Sequence, residues 1–70
     1  MLRVRVADPG LADDLESTLR LADCLAERET ATTLLVYVPH AQDVEAARRE
    51  LRIHLAMWRA QRRSRAELVA

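Results

Sequence analysis

The segment LRVRV, residues 2–6, constrains the fold more than any other stretch of the chain. Its three apolar side chains would face one side of a β-strand and its two arginines the other, because successive side chains of a strand alternate between faces. A strand with one apolar and one charged face belongs to a sheet that is covered on one side only, and such sheets are more often antiparallel. The sequence therefore predicts an antiparallel sheet with helices on one face.

Two amphipathic helices are predicted to cover that face. Asp8 is a good N-cap and Pro9 suits the first helical position, so the first helix is expected over about residues 9–22. Pro39 ends a later strand, and a long helix is expected from about residue 41 to residue 64. Six residues of this second helix fall within a sector of about 100°, which would pack on the sheet; they are Val44, Ala47, Leu51, His54, Leu55 and Trp58.

The segment between the helices has two interpretations. It can contain a loop and one strand, which gives the order β-α-β-α. Alternatively, residues 24–29 form a second strand, residues 30–31 a turn and residues 32–38 a third strand. We favour the second interpretation because a one-faced first strand suits an antiparallel sheet, and because Thr-rich residues 30–33 are better strand formers than helix formers. The turn itself lacks the Gly, Asn or Asp that hairpins prefer.

The favoured order, β-α-β-β-α, describes a small α+β domain. Its three-stranded antiparallel sheet would have the order 2-3-1, with both helices on one face. This architecture resembles a ferredoxin-like fold that lacks its last strand, and the resemblance implies no function. The 70 residues make a single domain, in which residues 66–70 are expected to fray.

Composition excludes several classes of protein. Cys24 is the one cysteine, so an intramolecular disulfide is impossible, and a lone thiol fits a reducing compartment. No run of about 18 apolar residues could span a bilayer, and the N-terminal residues lack a signal-peptide pattern. We expect a cytoplasmic protein without a membrane partner.

Residues suited to catalysis or metal binding are few. Cys24, His40 and His54 are separated by 16 and 14 residues, which matches no zinc pattern. We interpret Cys24 as a small apolar strand residue, His40 as an exposed turn residue and His54 as a boundary residue paired with Glu50. The chain also has no glycine-rich loop. We expect no catalytic, cofactor-binding or metal-binding residues, and therefore no enzyme.

The second helix carries an additional apolar stripe, nearly opposite the side that would cover the sheet. It consists of Ala46, Ile53, Met57 and Ala60. Residues 1–47 have a charge balance of −5 and residues 48–70 a balance of +5, so the two halves of two copies can attract each other. We predict a non-catalytic interaction or regulatory module that forms a two-fold homodimer through this stripe. A different protein is a further candidate partner.

A row of arginines on the same helix supports an alternative function, nucleic-acid binding. The four side chains fall within a sector of about 60° and could follow a phosphate backbone; they are Arg48, Arg52, Arg59 and Arg63. Against this, the net charge is zero, and Glu45 and Glu67 can pair locally with Arg48 or Arg49 and with Arg63. We therefore favour the view that these arginines solvate and terminate the helix.

Overall fold

Six elements of secondary structure follow one another along residues 1–69, the part of the chain that this computed structural model describes. They are β1 (Leu2–Val6), α1 (Pro9–Leu21), β2 (Leu25–Thr30), β3 (Thr33–Tyr37), α2 (Val44–Arg62) and β4 (Ala66–Leu68). The strands form one antiparallel sheet in the order β2-β3-β1-β4. The predicted α+β class is confirmed.

The hairpin between the helices follows the favoured interpretation, so the alternative β-α-β-α is wrong. β2 and β3 pair in antiparallel register, with an irregularity between Arg28 and Thr30. Among the described residues, positive φ angles occur only at Asp23 and Arg63. The two residues of the turn, 31–32, therefore have negative φ angles. The turn is stabilised by the hydroxyl of Thr30, whose Oγ1 accepts a hydrogen bond of 3.3 Å from the backbone N–H of Thr32.

A fourth strand corrects the prediction of a three-stranded sheet in the order 2-3-1. β4 pairs with the free edge of β1, and Val69 adds a 2.7 Å hydrogen bond from its backbone N–H to the carbonyl of Arg3. The prediction that residues 66–70 fray is therefore wrong for residues 66–68, and residue 70 lies outside the described residues. Three residues are too few to carry an alternation signal, which is why the sequence did not reveal this strand.

Capping residues fix where the helices begin. The carboxylate of Asp8 accepts a hydrogen bond from the N–H of Leu11, and α1 starts at Pro9 as predicted. The start predicted for α2 was three residues early, because the N-cap is Asp43, whose carboxylate accepts from the N–H of Ala46 at 2.8 Å. α2 ends at Arg62, and its C-cap, Arg63, takes the left-handed conformation (φ 51°) that turns the chain toward β4.

The core lies between one face of the sheet and the two helices. Alternate residues of β1 are buried, and the intervening arginines are exposed, as the alternation predicted. The largest fully buried side chains come from both helices, the two central strands and the residue before β2; they are Trp58, Leu15, Leu19, Leu34, Leu51, Leu55, Val4, Val36 and Cys24. The opposite face of the sheet has no helix over it among the described residues.

Candidate interaction surfaces

The apolar stripe predicted on α2 lies on the solvent side of that helix. We call the set Ala46, Ile53, Met57 and Ala60 the partner band. Ile53 and Met57 are 57% and 58% exposed, Ala60 is exposed and Ala46 is half-buried. Leu51, Leu55 and Trp58 instead face the sheet. No described part of the chain covers Ile53 or Met57, so two large apolar side chains stand next to each other in solvent.

A carboxylate on α1 explains why that helix does not reach the partner band. Asp14 Oδ2 accepts a hydrogen bond of 2.7 Å from Trp58 Nε1 and another of 2.7 Å from Arg62 Nε. Arg62 Nη2 also donates to Asp14 Oδ1 at 3.2 Å. The bonds from Arg62 and then from Trp58 lower the pKa of Asp14 below its ordinary value. These contacts hold α1 on the Trp58 flank of α2, away from the band.

Sequence reasoning missed this junction, because Asp14 and Trp58 are 44 residues apart. Asp13 forms an ion pair with Arg28 of β2. Glu16 pairs with Arg20, four residues further along α1, at 2.7 Å. The acidic residues of α1 therefore attach this helix to α2 and to β2.

The arginine row begins at the half-buried Arg48, which lines a cavity with Met1 and Leu2, and ends at Arg63, the C-cap of α2. We call Arg48, Arg52, Arg59 and Arg63 the arginine stripe. Arg52 and Arg59 line an open groove of about 430 Å³ together with Leu55, Glu67 and Leu68. Arg59 Nη1 donates a 3.1 Å hydrogen bond to the carbonyl of Ala66, so this guanidinium is positioned by the start of β4.

The local neutralisation predicted for this stripe does not occur. Glu67 pairs with Arg5 across the sheet at 3.1 Å and not with Arg63. Glu45 forms no ion pair with Arg48 or with Arg49 in the described part of the chain. Glu45 and Glu67 therefore do not neutralise the guanidinium charges of the arginine stripe.

The arginines of the chain separate into two groups. Five of the eleven form ion pairs with acidic residues; they are Arg3, Arg5, Arg20, Arg28 and Arg62. The other six have no ion pair within residues 1–69, and all of them lie at positions 48–65. In this chain of zero net charge, the basic side chains without an ion pair are thus concentrated on α2 and on the turn that follows it.

The two histidines meet at one cavity, although they are far apart in the sequence. His40, His54, Glu50 and Asp23 contribute to the lining of an open cavity of about 570 Å³. His40 Nε2 lies 2.5 Å from Glu50 Oε1, so the predicted pairing of Glu50 with His54 is wrong. In residues 1–69, no group of three or more His, Cys, Asp or Glu side chains is arranged to hold a metal ion.

Cys24 is buried close to this cavity. Burial raises the pKa of its thiol, and the negative charges of Glu50 and Asp23 raise it further. A thiol in such surroundings is a poor nucleophile, because the thiolate is the reactive form. Cys24 is therefore a small buried core residue, but it lies just before β2, so its predicted place within the strand is wrong.

The uncovered face of the sheet is an apolar surface that sequence reasoning did not select. Leu25, Tyr37 and Val69 are substantially exposed there, and Leu35 is half-buried. Two ion pairs also cross this face, Arg3–Glu29 at 2.8 Å and Arg5–Glu67 at 3.1 Å. The alternation of Leu35 and Tyr37 with buried residues of β3 was the signal that could have identified it.

Comparisons with protein-family models, curated protein sequences and solved structures found no match to this chain. Neither helix in residues 1–69 has the length and apolar content needed to cross a bilayer. The surfaces described above are therefore the basis for inferring a function.

Proposed function

We propose that this protein is a non-catalytic interaction module that acts as a homodimer through the partner band of α2. The observation that carries the proposal is the exposure of Ile53 and Met57, both above one half, on the side of α2 opposite the core. Contiguous apolar side chains in solvent are typical of protein contact sites. A second subunit would also supply apolar burial that a core of this size lacks.

An antiparallel pairing of two α2 helices suits the residues of the band. With the two-fold axis at Ile53, this side chain meets its own copy, and Ala46 lies opposite the partner's Ala60. Alanine at both flanks allows the two backbones to approach closely. One helix pair buries less than the roughly 800 Å² per partner of a standard interface, so we expect a dissociation constant in the micromolar range.

Charge supports the same arrangement. Asp43 and Glu45 at the start of α2 would lie alongside the basic end of the partner's helix, where Arg63 and Arg65 have no ion pair within residues 1–69. The two helix dipoles would also be antiparallel, which is favourable. The opposite charge balances of the two halves of the sequence are then satisfied between copies.

The open sheet face is a weaker candidate for the dimer interface. Its charged residues already pair within one chain, as Arg3 with Glu29 and Arg5 with Glu67. A two-fold contact through this face would bury both ion pairs of each copy, and the loss of their hydration opposes association. The partner band contains no charged residue, so burying it has no such cost.

Three further points belong to the proposal. The buried thiol of Cys24, with its raised pKa, supports a role without nucleophilic catalysis. A free thiol also suits the reducing conditions of the cytoplasm, where we place the protein. The element order β-α-β-β-α-β, with the sheet order β2-β3-β1-β4, leads us to assign the domain to the ferredoxin-like class.

Sedimentation velocity at micromolar concentration tests the dimer. We expect the wild type to sediment with twice the 8.0 kDa mass of one chain, and Ile53→Asp to sediment as a monomer. Leu25→Asp is the matched control, because Leu25 is 60% exposed on the open sheet face. A monomeric wild type contradicts the proposal. Dissociation by Leu25→Asp but not by Ile53→Asp would move the interface to the sheet. Urea unfolding of each variant verifies that it folds.

A further inference from the structure

We infer a second function for α2, beyond assembly: the arginine stripe binds the phosphate backbone of double-stranded nucleic acid. The first observation is the separation of charge on the molecule. Every arginine without an ion pair in residues 1–69 lies at positions 48–65, whereas the arginines of β1, α1 and β2 are neutralised by acidic neighbours. Zero net charge therefore does not argue against a polyanion here, because phosphates respond to the local basic surface.

The dimensions of the stripe suit a regular array of phosphates. From Arg48 to Arg63 the helix rises by about 22 Å, since each residue adds about 1.5 Å. Along one strand of a duplex, a phosphate follows about every 3.4 Å of the axis, so the stripe covers about six base steps. Arg59 is held in place by its hydrogen bond to the carbonyl of Ala66, which reduces the entropy lost when it binds.

The surroundings of the stripe favour a duplex over a single strand. Proteins that bind single strands stack bases on aromatic side chains. The chain has two aromatic residues. Trp58 is 1% exposed, and Tyr37 reaches only the Arg48 end of the stripe, where both residues line a cavity of about 330 Å³, so a row of stacked bases has no platform along the stripe. Contacts to phosphate alone carry no sequence information, so we expect binding that does not depend on sequence.

The proposed dimer would strengthen this binding without blocking it. On a helical wheel the stripe lies about 120° from the partner band, so the stripe stays exposed when the band is covered. A two-fold axis perpendicular to two antiparallel helices places both stripes on the same side of the dimer. Four arginines on one chain predict a slope of log K against log salt of about −3.6. In the dimer Arg63 lies beside the acidic start of the partner's helix, so three arginines of each chain, six in all, predict a slope of about −5.4.

A fluorescence-anisotropy titration tests the inference. The probes are a labelled duplex of about 20 base pairs, which exceeds the stripe in length, and a single strand of equal length, each between about 25 and 150 mM salt. We expect the duplex to bind more tightly, with a slope in the predicted range. Arg52→Gln/Arg59→Gln and Arg48→Gln/Arg52→Gln should each reduce the magnitude of the slope by about two for every chain that contacts the duplex, which is about 3.6 for a dimer. The second variant leaves the bond from Arg59 to Ala66 intact.

Arg5→Gln/Arg20→Gln is the matched control, since it removes the same charge from arginines that are already ion-paired. An equal loss of binding in this control overturns the inference, because the attraction would then be a property of the whole surface. Absence of duplex binding at low salt overturns it as well, and so does binding to vesicles of phosphatidylglycerol but not to the duplex. Ile53→Asp separates the two proposals: if the dimer alone is wrong, wild type and variant bind the duplex with the same slope, near −3.6.

Discussion

Replacement of Asp14 by alanine should destabilise the fold far more than the same change at the adjacent Asp13. The Asp14 carboxylate accepts hydrogen bonds from Trp58 Nε1 and from Arg62. Without it, the indole N–H loses its partner while the ring stays buried, and an unsatisfied buried donor costs about 1–3 kcal/mol. The side chains of the pair with Arg62 are more than one third exposed, so solvent screening makes its contribution to stability small.

We therefore expect Asp14→Ala to lower the free energy of unfolding by about 2 kcal/mol. That is a large fraction of the roughly 4–10 kcal/mol expected for a chain of this length. Asp13 is mostly exposed and pairs with Arg28, so Asp13→Ala should cost less than about 1 kcal/mol.

Urea unfolding followed by the fluorescence of Trp58, the one tryptophan, measures both variants against the wild type. The midpoint should fall at an unchanged m-value, because the amount of surface exposed on unfolding stays the same. Equal losses for Asp13→Ala and Asp14→Ala would refute the idea that the indole bond joins the two helices.

Two further predictions concern acid stability and the fourth strand. The pKa of Asp14 is lowered in the folded state, so its contribution to stability is complete above the unfolded value of 3.8 and is lost as the pH falls through the folded value. The urea midpoint of the wild type should therefore decrease as the pH is lowered through this range, and the midpoint of Asp14→Asn should decrease less. If the midpoints of both proteins change in parallel with pH, the loss of stability does not come from Asp14. Ala66 is buried where β4 pairs with β1. Ala66→Asp should therefore lower the free energy of unfolding by about 2 kcal/mol or more. Glu67→Ala, at the exposed neighbouring position, should lower it by less than about 1 kcal/mol. If both variants unfold at the wild-type urea concentration, β4 does not contribute to the folded sheet.

Most of the fold follows from local patterns in the sequence. The alternation in residues 2–6 indicates a sheet with one covered face, and Asp8 with Pro9 locates the start of α1. The hairpin was predictable from composition despite a turn without glycine. β4 was not, because three residues carry no periodicity and because the turn before it uses Arg63 in a left-handed conformation, where glycine or asparagine is the usual signal.

The candidate surfaces, too, were predictable from the sequence only in part. The positions of the partner band and of the arginine stripe follow from helical periodicity, since all their residues belong to one helix. The charge partners do not follow, because Asp14 and Trp58 are 44 residues apart and Arg5 and Glu67 are 62 apart. Pairing rules that operate within one helix predicted His54 as the partner of Glu50 and Arg63 as the partner of Glu67. In the fold, Glu50 pairs with His40 and Glu67 with Arg5, which are more distant in the sequence.

Cross-linking at the proposed two-fold axis tests the dimer most directly. Ile53 would face its own copy there, within the Cα separation of about 4.4–6.8 Å that a disulfide requires. In a Cys24→Ala background, mild oxidation of Ile53→Cys at micromolar concentration should give a covalent dimer of twice the 8.0 kDa chain mass on a non-reducing gel. The equally exposed Leu25→Cys should remain a monomer. Rapid cross-linking through residue 25, with none through residue 53, would contradict an interface on α2.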